Sequence, residues 1–201
     1  MDHLHPIIYE AGTEQRPPDW AVMSPARLRH AQRVGTLLWN WADALGHDTR
    51  TRIRWRAAGL LHDALKDEDV EALRPLVEGA QGWPDPLIHG PACANRLRAA
   101  GVGDEPLLRA IAFHTTGHPD LCAIGQALYM ADFLEPGRLA SGTERASLRH
   151  RLPADWHAVL MEVVTAKIGI LIDGGIRISA ATGGFWEAIT IPGPEGSGPS
   201  R

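Results

Sequence analysis

The chain has 201 residues, of which 44% are apolar and 22% charged, proportions that are ordinary for a globular protein. This length suffices for one good hydrophobic core and is too short for two comfortable domains. The net charge is −4 and the sequence has no basic block, so the chain as a whole offers no electrostatic surface for nucleic acid or an anionic membrane.

Cysteine usage and the N-terminal sequence predict a cytoplasmic protein. Cys93 and Cys122 have no paired spacing, which argues against a disulfide framework and for a reducing compartment. Residues 1–20 lack a cationic segment followed by an apolar one, so we expect no signal peptide. No apolar run approaches the length of a membrane span.

The first helix is predicted to follow an irregular extension. Residues 1–22 are interrupted by prolines, and we expect them to be irregular. Ser24 and Pro25 combine an N-cap with a first-turn proline, which predicts a helix that runs to about Leu45. The apolar face of this helix also carries His30. A lone histidine on such a face is more often a core residue than a metal ligand.

The second predicted helix, about 49–65, carries an adjacent His62-Asp63 pair in its last turn, with Lys66 just beyond. The two side chains are about 100° apart on a helix, so both can lean toward one point. Imidazole and carboxylate are good ligands for zinc, manganese or iron. A carboxylate in an apolar run also needs a partner, because burying it unpaired costs free energy. The alternative is a helix end with chance polar residues.

A third candidate ligand, His89, directly precedes Gly90-Pro91, where we predict a break before a helix over about 91–100. Such a histidine is either a ligand positioned by the turn or a surface loop residue.

The segment from His114 to His118 follows a predicted helix over about 104–113. Its hydroxyls, glycine and histidines suit phosphate oxygens or metal ligands, whereas the alternative is an ordinary helix C-terminus. Asp132 falls on the buried face of a predicted helix over about 119–135, so this second carboxylate also needs a partner.

The domain is predicted to be all-α and to cover residues 23–191, followed by a disordered tail over 192–201. No period-2 strand of useful length occurs. Further helices are predicted over 67–78, 143–150, 154–173 and 180–190.

Six candidate metal ligands emerge, each on an apolar helix face or at a helix end: His30, His62, Asp63, His89, His114 and Asp132. Six exceed the needs of one tetrahedral zinc and suit two metals that share a carboxylate. Structural zinc is a poor alternative, because the sequence has no Cys-x-x-Cys and closed sites rarely use two carboxylates.

The order of these motifs resembles the HD-domain phosphohydrolases, and within them the YqeK-type symmetrical bis(5'-nucleosyl)-tetraphosphatases. The resemblance covers about residues 24–190. Its motifs are Ser-Pro-Ala-Arg-Leu-Arg-His30, Leu-Leu-His-Asp-Ala-Leu-Lys66, Ile-His-Gly-Pro91, Phe-His-Thr-Thr-Gly117 and Tyr-Met-Ala-Asp-Phe-Leu-Glu-Pro-Gly-Arg138.

The resemblance implies an HD-domain helical bundle with a buried di-metal site, commonly iron, with manganese, cobalt and zinc as alternatives. It implies a nucleotide substrate, diadenosine tetraphosphate, cleaved to two ADP by a metal-bound hydroxide. The six candidates match the metal ligands, with Asp63 as the bridge, and Lys66 is assigned to phosphate charge. Further positions expected around the polyphosphate are Thr115, Thr116, Gly117, His118 and Arg138. A homodimer is one arrangement left open.

Two positions depart from the family pattern. His118 stands where an arginine or lysine is usual, so that phosphate binding is expected to weaken at higher pH. Gln126 stands where a second cation is often found. These departures leave the preferred polyphosphate length open.

Two other functions stay open at this point. One is an HD-type nucleotidase that acts on a mononucleotide or another phosphate ester, and the other is a regulatory module that binds nucleotide and metal without turnover. The identity of the products separates the first from the dinucleotide hydrolase.

Overall fold

The computed structural model describes residues 4–137 and 142–191, and within these two ranges it is helical, without a strand. The predicted all-α class is therefore confirmed. The α-helices are α1 (Pro6–Thr13), α2 (Pro25–Ala44), α3 (Thr49–Leu61), α4 (Val70–Leu73), α5 (His89–Ala99), α6 (Glu105–Phe113), α7 (Ala123–Leu134), α8 (Gly142–Arg151), α9 (Trp156–Asp173) and α10 (Ala180–Thr190). None of these described helices is both long enough and apolar enough to cross a bilayer.

The prediction that residues 1–22 are irregular is wrong for α1. Pro6 takes the first helical position, where the missing N–H is not needed. His5 caps the helix, because its Nδ1 accepts the amide N–H two residues further on at 3.3 Å. Ile8 and Ala11 are buried in the same core as the rest of the molecule. The proline that was read as an interruption therefore starts a helix that packs against α3.

Two other predicted helix boundaries are corrected in ways that matter for the site. α3 ends at Leu61, so that His62 and Asp63 follow the helix instead of lying in its last turn. α5 begins at His89, and Pro91 lies within its first turn. A proline is tolerated there because the first N–H groups of a helix have no intrahelical partner.

Close backbone contacts fix the helices that carry the histidines. A Cβ added at Gly59 in α3 would lie 2.5 Å from the Cα of Gly35 in α2. A Cβ added at Gly90 in α5 would lie 2.9 Å from the carbonyl oxygen of Ala112 in α6. Only glycine permits these separations, so α2 meets α3, and α5 meets α6, at backbone distance.

Arg138 and the predicted tail over 192–201 lie outside the described residues.

Candidate active site

The six candidate ligands come from five parts of the chain and meet at one place. His30 belongs to α2, His89 starts α5 and Asp132 belongs to α7, while the others directly follow α3 or α6. All four histidines and Asp63 are buried. Asp63, His89, His114 and Asp132 line a cavity of about 430 Å³, here called the central cavity, which α7, α8, α9 and α10 also line.

Asp63 lies between two pairs of imidazoles. Its Oδ1 is 3.1 Å from His89 Nε2 and 3.5 Å from His114 Nε2. Its Oδ2 is 3.5 Å from His62 Nε2 and 3.8 Å from His30 Nε2. Each carboxylate oxygen therefore faces its own pair of ring nitrogens, which is the arrangement that a bridging ligand needs.

Asp132 completes the second half of the cluster. Its Oδ1 is 3.2 Å from His30 Nε2 and 4.0 Å from His62 Nε2. Two overlapping triplets have ligand atoms within 4.8 Å of one another: His30, His62 and Asp132, and His62, Asp63 and His114. These spacings are small enough for either triplet to hold a cation, although the two triplets share His62.

Backbone carbonyls fix the tautomers of two of the histidines. Nδ1 of His62 is 2.8 Å from the carbonyl oxygen of Gly59, and Nδ1 of His114 is 2.8 Å from that of Ile111. A carbonyl only accepts hydrogen bonds, so each Nδ1 carries the proton. Each Nε2 then presents a lone pair to the centre of the cluster, as a metal-binding imidazole does.

The donor set fits a metal. Nε2 of His30 and Nε2 of His62 are buried and have no hydrogen-bond partner among the described groups. Lone pairs that face carboxylate oxygens repel them, and burying such groups unsatisfied is costly. A divalent cation would satisfy both the ring nitrogens and the carboxylate oxygens. Mixed imidazole and carboxylate ligands suit iron, manganese or zinc better than calcium or magnesium.

Glu135, which the sequence analysis did not single out, holds His30 from behind. Its Oε1 is 3.2 Å from His30 Nδ1. Its Oε2 accepts hydrogen bonds from Arg33 Nε at 2.6 Å and from the N–H of Gly137 at 2.7 Å. Such carboxylate–histidine contacts orient a ligand and raise its basicity. The Glu-Pro-Gly segment after α7 was the available signal.

The charges of the cluster favour an ionised Asp63. Burial would raise the pKa of the Asp63 carboxyl, but His62, His114 and His89 together hold it well below its ordinary value. Burial likewise opposes a charged His62, yet the charge of Asp63 raises the pKa of that imidazole above its ordinary value. Burial lowers the pKa of His114 to about 4, so this ring is neutral near pH 7. The ionised carboxylate and the neutral ring of His114 are ready to bind a cation, and a proton held by His62 would be released when a cation binds.

Four cationic side chains from separate parts of the chain line the central cavity beside the cluster. The Nζ of Lys66 is 3.3 Å from Nδ1 of His89, and burial lowers the pKa of this lysine. Arg27 donates from Nη1 to Asp63 Oδ2 at 2.7 Å. Both line the central cavity, together with Arg145 and Lys167.

Of these cations, only Lys66 was expected from the sequence. Arg27 lies three residues before His30, hence on the same helix face, and this spacing could have identified it. Arg145 lies in α8 and Lys167 in α9. They reach the cavity only through tertiary packing, and no local motif marks them.

The residues of the loop after α6 differ in whether they line the central cavity. Thr115 Oγ1 is 3.1 Å from His114 Nε2 and lines the central cavity. Gly117 has a φ of +73°, and an added Cβ would lie 2.2 Å from the ring of Phe185, so its role is in the turn. The described wall of the central cavity includes neither Thr116, Gly117 nor His118.

The two departures from the family pattern lie away from the central cavity. His118 Nδ1 accepts the N–H of Asp120 at 3.1 Å, and its ring packs against Phe113. Gln126 Oε1 accepts a hydrogen bond from Trp156 Nε1 at 2.9 Å, while its amide donates to the carbonyl oxygen of Leu121. Gln126 therefore fastens α7 to α9.

Comparisons with known proteins give a family match and named relatives. The family model of the HD domain matches residues 27–139. Symmetrical bis(5'-nucleosyl)-tetraphosphatases of Staphylococcus aureus and Halalkalibacterium halodurans are each 30% identical, over 59% and 57% of this chain. These matches span 63% and 64% of the relatives, slightly less than two thirds of their length.

A solved structure is similar over most of the fold. It is described as a predicted HD superfamily hydrolase involved in NAD metabolism from Clostridium acetobutylicum. It has 28% sequence identity and a TM-score of 0.69, and the match covers 83% of this chain and 89% of that one.

Proposed function

Since the chain belongs to the HD domain family, we propose that it is a metal-dependent hydrolase of dinucleoside polyphosphates that cuts the middle phosphoanhydride. With diadenosine tetraphosphate, one water is consumed, the central P–O–P bridge is broken and two ADP are released. The observation that carries the proposal is a cluster of four imidazoles and two carboxylates beneath a cavity lined by cations. The names of the curated relatives support the choice of substrate.

Two divalent ions, with iron as the first candidate, would be held by the six residues of the cluster. His30, His62 and Asp132 form one side, His89 and His114 the other, and Asp63 lies between them. When bound, such a pair lowers the pKa of water and offsets the charge of a phosphoryl group.

The chain's own side chains would orient and neutralise the polyphosphate. Lys66, Arg145 and Lys167 line the cavity and would offset phosphate charge. The hydroxyl of Thr115, close to His114, would donate to a phosphoryl oxygen. ADP leaves as an already stabilised anion, so a strong general acid is not required.

Arg27 would act on Asp63 as well as on the substrate. Its hydrogen bond at 2.7 Å to Oδ2 fixes the rotation of the carboxylate. With Oδ2 held in this way, Oδ1 remains directed at His89 and His114.

Product analysis by anion-exchange chromatography tests the proposal. The protein is loaded with iron, manganese, cobalt or zinc in turn and incubated with diadenosine tetraphosphate, and metal-free protein serves as the control. ADP as the sole product is expected. ATP plus AMP would contradict symmetrical cleavage. No turnover, combined with release of phosphate from a mononucleotide, would favour the nucleotidase instead.

A further inference from the structure

A second cavity, of about 500 Å³, adjoins the central one. It lies between the 82–87 segment, the end of α6 and the start of α10, and its wall is mostly apolar. Thr115 lines both cavities. The two volumes are each within the range of small-molecule sites. Nothing in the proposed chemistry at the metal cluster requires this second space.

The wall of the second cavity has features that suit a nucleoside. Trp83 is 38% exposed and lines the cavity, with Phe113 and Ile178 also in the wall. An exposed tryptophan face binds a nucleobase by stacking, whichever base it is. Arg177 also lines the cavity, is exposed, and forms no ion pair with a described residue. The wall therefore offers an aromatic face for a base and a cation for a phosphate.

The position of Thr115 connects the two cavities to one substrate. Its Oγ1 lies 3.1 Å from His114 Nε2, at the edge of the metal cluster. A polyphosphate cut in its middle must extend in both directions from the cluster. One half would then occupy the central cavity, and the other would pass Thr115, which lines both cavities, toward Trp83.

We propose that the second cavity is a nucleoside subsite, in which Trp83 stacks on the base of one half of the dinucleotide and Arg177 meets its phosphates. This inference rests on the proposed function, because it assigns the two cavities to the two halves of one substrate. The subsite would also account for the exposure of Ile178, an apolar residue of the cavity wall.

The test is the stoichiometry of ADP binding to the metal-loaded full chain, measured by titration calorimetry. Wild type is expected to bind two ADP per chain, Trp83→Phe two, and Trp83→Ala one. For diadenosine tetraphosphate, Trp83→Ala is expected to lower kcat/KM by roughly 5- to 150-fold, the range for loss of one base stack. A single ADP per wild-type chain, or two per Trp83→Ala chain, would overturn the proposal.

A milder pair of variants covers the case in which Trp83→Ala does not fold. Ile178→Ala is expected to weaken binding of the second ADP by about 3- to 10-fold, the value of roughly one to two buried methylenes. Ile172→Ala removes an equally apolar, exposed side chain that lies outside the described walls of both cavities, and should leave both ADP sites unchanged. Equal ADP affinities in the two variants would contradict the subsite.

The binding measurement does not depend on turnover, so it separates this inference from the proposed function. Two ADP per chain without hydrolysis of diadenosine tetraphosphate would sink the function and leave the subsite standing. Symmetrical hydrolysis with a kcat/KM that Trp83→Ala does not change would support the function and contradict the subsite. A wild-type dimer that Ile178→Ala converts to monomer, with ADP binding unchanged, would assign the cavity to a second copy of the chain.

Discussion

Helices α2–α7 and helices α8–α10 border the same cavity and are built differently. The first group and the residues that directly follow its helices supply all six candidate ligands, five of them buried and Asp132 partly exposed, and its helices meet at glycines with backbone in contact with backbone. In the second group α8, which is described throughout, has no buried residue, and α9 exposes Ile170 and Ile172. The family model also ends at residue 139, before α8.

The difference separates two requirements of a hydrolase. Metal ligands must be held within a fraction of an ångström, which needs a close-packed and poorly compressible surrounding. Substrate contacts tolerate more variation, because a polyphosphate is flexible and its charge can be met from several directions. We therefore expect the α2–α7 region to determine the chemistry and the α8–α10 region to determine which polyphosphate is accepted.

The largest effect is expected from Asp63→Asn in the α2–α7 region. The amide keeps the shape of the side chain but removes the charge between the two histidine pairs. Hydrolysis of diadenosine tetraphosphate should fall by more than about 100-fold, the upper range for loss of an outer-shell partner alone. Bound metal, measured by elemental analysis, should fall as well.

The matched control is Asp43→Asn, an exposed carboxylate in α2 that pairs with Arg52. This variant should change neither the hydrolysis of diadenosine tetraphosphate nor the amount of bound metal. Retention of metal and turnover by Asp63→Asn, with helicity intact by circular dichroism, would remove Asp63 from the centre of the cluster.

A methyl group tests the packing difference directly. Gly59→Ala places a Cβ 2.5 Å from the Cα of Gly35, and this backbone cannot move aside cheaply. We expect a loss of about 1–3 kcal/mol in the free energy of unfolding, as for other overpacked cores. Gly169→Ala in α9 has nothing within 4 Å of the added Cβ. It should gain about 0.5–1 kcal/mol, because alanine is the better helix former.

Urea unfolding of both variants measures the two values. Equal effects of the two methyl groups would mean that the close approach of α2 and α3 is not a constraint, and the distinction between the two regions would fail.

Glu135→Gln should have an intermediate effect. Glutamine keeps the volume but loses the charge that Arg33 and His30 share. Metal affinity is expected to fall by about 10- to 100-fold, the usual cost of losing an outer-shell partner of a ligand. Competition with a chromogenic chelator measures it. Glu162→Gln, which alters an exposed ion pair with Arg151, serves as the control. An affinity equal to that of this control would mean that Glu135 does not support His30.

The sequence was most informative for functional residues that lie in local motifs. His62 and Asp63 are adjacent, and His114 directly follows a helix, so each could be recognised in its own segment. That all six residues would meet at one site was predicted from their ligand types and from the resemblance, because no spacing along the chain shows that five separate parts converge. His89 was misplaced in a loop for a physical reason: Gly90-Pro91 has the composition of a break, yet fits the first turn of α5.

The sequence could not predict the contacts that depend on tertiary packing. Arg145 and Lys167 are ordinary surface-helix residues by pattern, and only the packing of α8 and α9 on α7 directs them to the cavity. The cations expected at positions 118 and 126 are absent from the sequence, and the structure places two others in the cavity wall. The cations that would determine the accepted polyphosphate length are therefore expected in α8 and α9, and not at position 118 in the loop after α6 or position 126 in α7.

Lys167→Gln, the smallest expected effect, tests this last step. Lys167 Nζ lies 3.7 Å from the ring centre of Tyr129 and 3.4 Å from the carbonyl oxygen of His114, in the wall of the central cavity. If α9 governs substrate and not metal, KM for diadenosine tetraphosphate should rise by about 3- to 10-fold, the worth of one partly exposed charged contact. Metal content should stay constant. Arg151→Gln, which removes an exposed cation of α8, should change neither value. A loss of metal in Lys167→Gln would place α9 among the elements that hold the cluster, and the division of labour between the two regions would have to be abandoned.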